Sequence, residues 1–302
     1  MNKIYDTHSD IFHNLFERVN QNVSDPFKEY HVANLQKGNI KGGIWVVYGD
    51  KDFDVYEAYQ KALQAYAPYK DDYDVVLGLE GLRNVHTLDE FKKMYDLGVR
   101  HSSLTWNEEN HLATGVAGDG NRGLTDLGKE FLDFMKEHHM IIDVSHLNVK
   151  SFFDVVEYVN DIVIASHSNA YTLCNHRRNL NDEQLLKLKE VGGYVGVVSA
   201  RNFVSSSDDR KTVAGLVDHI EYIANIIDID HVMLGLDMMD YLDDFNDHNS
   251  NLDDLVTHAD ANNIIDEMRK RGFSESDINK VTHENYFELL KKVGVNNEKK
   301  NY

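Results

Sequence analysis

The sequence predicts an α/β protein, a (β/α)₈ barrel formed as one domain over residues 1–302. Three observations lead there. Short apolar runs of β type recur along the chain, and longer amphipathic stretches separate most of them. Several runs are apolar without a break, as in Val75-Val76-Leu77 and Ile162-Val163-Ile164, which fits parallel strands buried on both faces. An open doubly wound sheet usually carries a Gly-rich phosphate turn after its first strand, and here His8-Ser9-Asp10 stands in that position instead.

The first strand is expected at 4–6, the second at 43–48, the third at 75–79 and the fourth at 99–104. A helix over 125–138 follows, with Leu127, Phe131, Phe134 and Met135 at helical spacing. The fifth strand is expected at 140–144, a helix at 148–159, the sixth strand at 162–165 and a helix at 182–191. Gly192-Gly193 turns the chain into the seventh strand, 194–198. A helix over 212–227 and the eighth strand, 232–236, complete the alternation, and helical stretches near 259–271 and 274–292 close the chain. Only two prolines occur, Pro26 and Pro68, and no low-complexity stretch marks a linker.

Composition narrows the function. Hydrophobic residues are 42% of the chain, enough for one large core. The net charge of −20 works against binding nucleic acid or an anionic membrane, and neither is expected as a partner. Cys174 is the single cysteine, so an intrachain disulfide is excluded and a reducing compartment is suited. The first ten residues contain no apolar signal core, and the last ten contain no hydrophobic tail. A cytoplasmic protein is therefore expected, and Asn22-Val23-Ser24 is read as a chance match to a glycosylation acceptor.

The polar residues after the strands carry the chemistry. His8 and Asp10 follow the first strand, Glu80 ends the third, His146 follows the fifth, His167 the sixth and Asp237 the eighth. In a barrel all C-terminal strand ends share one rim, where active sites are built. Imidazole nitrogens and carboxylate oxygens are the ligands that zinc accepts. A lone strand-end histidine is more often structural, but structural histidines scatter over both ends, as His31, His86, His138, His139, His219 and His258 do. Gly115, Gly118, Gly120 and Gly123 lack a following Lys-Ser/Thr and read as a flexible rim loop. Asp240, Asp243, Asp244 and Asp247 lack calcium-loop spacing and read as a solvated loop. Cys174 near His176 is read as coincidence rather than as a nucleophile and its base.

Six segments in order resemble the membrane (renal) dipeptidase family of the metal-dependent amidohydrolase superfamily. They are Asp6-Thr7-His8-Ser9-Asp10, Gly78-Leu79-Glu80-Gly81, Gly123-Leu124-Thr125 leading to Ile142-Asp143-Val144-Ser145-His146, Ser166-His167-Ser168 with Arg177-Arg178-Asn179, Asp230-His231-Val232, and Gly235-Leu236-Asp237. The resemblance implies two divalent metal ions, zinc in that family. It implies that His8 and Asp10 hold one, His146 and His167 the other, and Glu80 spans the pair. It further implies hydrolysis of a dipeptide by a metal-bridging hydroxide, with Asp237 as general base and then acid, and Arg178 pairing with the substrate carboxylate. A homodimer is expected by analogy alone.

The chain departs from that pattern at Leu104-Thr105-Trp106-Asn107, where the family carries a histidine that meets the substrate. Trp106 donates one N–H and cannot titrate, so it is a candidate substrate-binding residue of altered role. The alternative readings are an amidohydrolase acting on N-acyl amino acids, lactams or L,D-dipeptides, and a non-catalytic metal-binding barrel. Met239 after Asp237, and His283 before Glu284-Asn285, are departures read as structural.

Overall fold

The computed structural model describes residues 2–49, 51–242 and 250–295. Among these, eight parallel strands close into a barrel in sequence order: β1 Ile4–Ser9, β2 Ile40–Tyr48, β3 Asp74–Glu80, β4 Val99–Ser103, β5 Ile141–Asp143, β6 Ile164–Ala165, β7 Tyr194–Val197 and β8 Val232–Leu234. β1 pairs with β2 on one side and with β8 on the other, through Asp6 opposite Leu234. The sequence-derived strands all recur, two of them longer by three residues: β1 runs on to Ser9, and β2 begins at Ile40 instead of Gly43. Gly42 and Gly43 lie inside β2 at φ 151° and 142°. A Cβ at Gly43 would overlap the Asp6 carbonyl, so glycine is what lets β1 and β2 approach.

The helices form where amphipathic stretches meet good caps. Thr125 accepts from Gly128 N at the start of Asp126–Glu137, and Asn148 accepts from Ser151 N at the start of Val149–Val159. Asn160 ends the second of these in the left-handed conformation. Helices Asp182–Glu190 and Val213–Ile227 start behind Asn181 and Thr212 in the same way. The last helical stretch runs unbroken over 275–293, with a π turn, Lys280–Glu284, between the α segments Glu275–Asn279 and Asn285–Val293. No helix among the described residues is long and apolar enough to cross a membrane.

Two apolar layers result. The larger lies between the strands and their helices and contains Leu77, Leu79, Phe131 and Ile220. The smaller fills the barrel floor, where Tyr5, Ile44, Val76, Tyr194 and Met233 meet Tyr286 and Leu289 of the final helix. Tyr286 stacks on Tyr5 at 5.2 Å and donates to the Gly43 carbonyl at 3.2 Å, so the end of the chain stoppers the barrel. With the floor packed, the polar strand ends are confined to the opposite mouth.

Candidate metal centre and substrate pocket

β1 supplies two ligand candidates through an irregular register. Thr7 Oγ1 donates to the Ser166 and Leu234 carbonyls inside the barrel, and the next residue, His8, also turns inward. A register shift against β2 between Asp6 and Ser9 makes that possible. Asp10 lies beyond the strand, at the N-cap of helix Ile11–Asn20, so simple strand alternation is not what brings it beside His8.

The candidates converge. Glu80 Oε1 lies 2.7 Å from His146 Nε2, 3.2 Å from His167 Nε2 and 3.4 Å from His8 Nε2. His8 Nε2 is also 4.0 Å from Asp10 Oδ1 and 3.9 Å from Asp237 Oδ1. His146 Nε2 and His167 Nε2 face each other at 2.8 Å. His146 and Asp237 hold left-handed backbones, φ 69° and 53°, which cost non-glycine residues about 1–3 kcal/mol. Both lie where a strand end must aim a side chain across the mouth.

Charge is crowded here. Burial pushes the Glu80 carboxyl up, but His8 and His146 outweigh it and hold it well below the usual range. Burial, with Glu80 nearby, raises Asp10 well above its ordinary value, and raises Asp237 to about 6. Burial lowers His146 to about 4, with the Arg178 guanidinium adding to the shift.

Outside the cluster opens a cavity of about 390 Å³, inside the roughly 300–1,000 Å³ range of small-molecule sites. Asp10, Glu80, His146 and Asp237 line one side, and Tyr48, Trp106, Phe203 and Met239 give it apolar walls. Arg178 also lines it. Arg178 is buried; among the described residues its Nε has no hydrogen-bond partner, and one Nη reaches the His167 carbonyl at 3.4 Å. Burial pulls its guanidinium down to about 10.

The model of the membrane dipeptidases, peptidase family M19, matches residues 67–302. The chain belongs to the membrane dipeptidase family. An uncharacterized protein from the pqqA 5′ region of Klebsiella pneumoniae is 32% identical over 213 residues, 68% of this chain and 76% of that protein. Dipeptidase aclJ of Aspergillus oryzae is 34% identical over 219 residues, 71% of this chain and 50% of its own length. An uncharacterized dipeptidase of Schizosaccharomyces pombe is 38% identical over 54% of this chain and 41% of its own length, so the chain spans half or less of these two relatives. In fold, it is similar to a metallopeptidase from Rhodobacter sphaeroides bound to a phosphinate mimic of L-Ala-D-Ala. The TM-score is 0.81 at 20% identity, covering 97% of this chain and 99% of that one.

The membrane dipeptidases are metal-dependent peptide hydrolases, so the site has to suit a divalent cation. It does. Among the described residues His8 Nε2 and Asp10 Oδ1 are buried without a hydrogen-bond partner, an arrangement that is costly unless a cation completes it. His8 with Glu80 and His167, and His8 with Asp10 and Asp237, each group their ligand atoms within 4.8 Å of one another. The donor set of imidazole and carboxylate is the one zinc accepts.

Other residues of this membrane dipeptidase site escaped the sequence reading as individuals. Asn107 Oδ1 contacts His146 Nδ1 at 3.0 Å, and Ser166 Oγ contacts His167 Nδ1 at 2.7 Å. Asp6 accepts from the backbone N–H of His8 and of Leu236, tying β1 to the residue before Asp237. The signal available was general: a metal-binding histidine needs a partner for its other nitrogen. Trp106 is half-buried on the cavity wall, its ring 5.9 Å from that of His146. The Gly-rich rim loop is pinned rather than loose, since Val116 N donates to the His146 carbonyl and Asn148 Nδ2 to the carbonyls of Asp119 and Arg122. Cys174 is buried, and its thiol donates to the Asn202 carbonyl at 3.4 Å. Of the acidic stretch, Asp240 is half-buried, whereas Asp243, Asp244 and Asp247 lie outside the described residues.

Proposed function

We propose that this protein is a two-zinc dipeptidase that cleaves the peptide bond of substrates with a free C-terminal carboxylate. The observation that carries this reading is Arg178, a buried guanidinium with an unpaired Nε on the wall of the same small cavity as Glu80, His146 and Asp237. A planar guanidinium matches a carboxylate with two parallel hydrogen bonds. His8 and Asp10 would hold one metal, His146 and His167 the other, and Glu80 would bridge them. Bound cations supply Lewis acidity and bring a water's pKa near neutral.

The chain's own residues supply the rest. Arg178 fixes the carboxylate end and so sets how far the scissile carbonyl lies from the metal ligands. The cavity walls of Tyr48, Trp106 and Phe203 place apolar surface beside the metal ligands. Asp237, its side chain only 15% exposed, accepts a proton at its carboxylate and returns it to the leaving amine. A small cavity with Arg178 on its wall suits a short substrate held by its carboxylate.

Trp106 favours a second reading within the same chemistry. An indole replaces a titratable imidazole on the wall nearest His146, which supports use of N-acyl amino acids or L,D-dipeptides instead of L,L-dipeptides. The test is metal content of the purified protein, with hydrolysis of L,L- and L,D-dipeptides, tripeptides and N-acyl amino acids before and after chelation. About two metals per chain and chelator-sensitive cleavage of dipeptides but not tripeptides is expected. Cleavage only of blocked amines would overturn the dipeptidase reading in favour of the second. Activity that survives complete metal removal would overturn both.

A further inference from the structure

One hydroxyl lies between two imidazoles that the proposed centre assigns to different metals. Ser166 Oγ is 2.5 Å from Asp143 Oδ2, 2.7 Å from His167 Nδ1 and 3.4 Å from His8 Nδ1. A serine hydroxyl has one proton to give and two lone pairs with which to accept. Asp143 fixes where the proton goes. Its Oδ1 accepts from the backbone N–H of Ser145 at 2.9 Å and of Ser166 at 3.0 Å, and its Oδ2 is 3.2 Å from His101 Nε2. Such a carboxylate accepts throughout, so Ser166 donates to it.

The serine oxygen is then an acceptor toward both rings, and the proton of each ring belongs on Nδ1. Each Nε2 is left bare and directed at Glu80, the geometry a metal ligand needs. The two rings lie 3.7 Å apart and are fully buried. Among the described residues neither Nδ1 has another hydrogen-bond partner. His146 is oriented separately, by Asn107.

We propose that Ser166 is a positioning residue shared by both metals: its single hydroxyl sets the tautomer of His8 and of His167, so that the two sites gain or lose affinity together. This rests on the two-metal reading. The partners that orient metal-bound histidines typically change affinity about 10–100-fold when removed. Zinc titration of the metal-stripped full chain by calorimetry tests it, comparing wild type, Ser166→Ala and Asn107→Ala. Wild type is expected to bind two zinc ions. Ser166→Ala should weaken both by about 10–100-fold, and Asn107→Ala only one. If wild type binds two and Ser166→Ala leaves either at wild-type affinity, Ser166 is not shared and the inference fails alone. Fewer than two zinc ions in wild type would overturn the two-metal reading and this inference with it. Should Ser166→Ala not fold, wild-type protein loaded with ¹¹³Cd and carrying ¹⁵N-histidine decides. Cadmium coupling to Nε2 of both His8 and His167 is expected, and coupling to Nδ1 of either overturns the assignment.

Discussion

Asp237 and Arg178 separate binding from turnover, because they line the same cavity and neither is one of the residues proposed to hold the metals, although Asp237 Oδ1 lies 3.9 Å from His8 Nε2. Asp237→Asn keeps the shape and removes the proton acceptor. It should lower kcat by about 10²–10⁴-fold while zinc content, read by elemental analysis, stays near wild type. Near-normal turnover in that variant would remove Asp237 from the chemistry. Arg178→Met removes a charge-assisted pair and should lower kcat/KM for dipeptides by about 10–100-fold, mostly through KM. Dipeptide amides, which lack the carboxylate, should lose far less. Equal losses on both substrates would show that Arg178 acts only by packing. Asp237 could be read from the sequence because residue type and strand end coincide there, whereas Arg178, in a turn well after β6, came only from the family resemblance. Ser166 and Asn107 could not be given roles in that way, because a serine or asparagine acquires one only from the imidazole that folding sets against it.

Helix Ile11–Asn20, capped by Asp10, and the turn Lys28–Val32 carry a buried polar pair. His31 Nε2 lies 2.9 Å from Asn14 Oδ1, and burial, with His258 and Arg18 adding to it, lowers His31 to about 3. The unfolded chain takes up a proton there near the ordinary 6.5, whereas the folded one resists until about 3. Stability from this residue is therefore complete above 6.5 and is lost as the pH falls from there toward 3, by about 1.4 kcal/mol per pH unit. Urea unfolding of wild type and His31→Gln at pH 7 and pH 4.5 should show a shallower loss in the variant. Parallel losses would mean that His31 does not titrate in this window. At the level of elements, the apolar runs gave the strands well, and the cap residues Thr125 and Asn148 matched helix starts. What was missed follows from tertiary contact: β2 reaches back through two glycines because the Asp74 backbone packs against Gly42 and the Asp6 backbone against Gly43, and the β1 irregularity that turns His8 inward leaves no trace in residue type.

For the whole molecule, the floor and the mouth of the barrel have opposite duties. Tyr286 is 1% exposed between Tyr5 and the Gly43 carbonyl, and large-to-small changes at such aromatic sites cost about 3–5 kcal/mol. Tyr286→Ala should lower the midpoint of denaturant unfolding, with zinc stoichiometry unchanged in the protein that stays folded. Loss of zinc without loss of stability would mean that the floor shapes the mouth directly. The closed eight-stranded barrel was legible from the alternation of apolar runs and amphipathic stretches, with His8-Ser9-Asp10 where an open sheet carries its Gly-rich turn. The floor was not, because the final helix reads like any other amphipathic segment until the π turn at Lys280–Glu284 delivers it beneath the strands.

The stopper has a consequence for how the protein is made. β1 pairs with β8, the metal ligand candidates run from His8 to His167 with Asp237 still later, and the floor is sealed by residues near the end of the sequence. At about 5–20 residues per second, β1 waits through the synthesis of more than two hundred further residues before its second neighbour, β8, exists. His8 and Asp10 therefore stand beside an open strand edge through most of translation. A fragment that stops short of Val232 would carry both side chains without the pairing that closes the mouth around them.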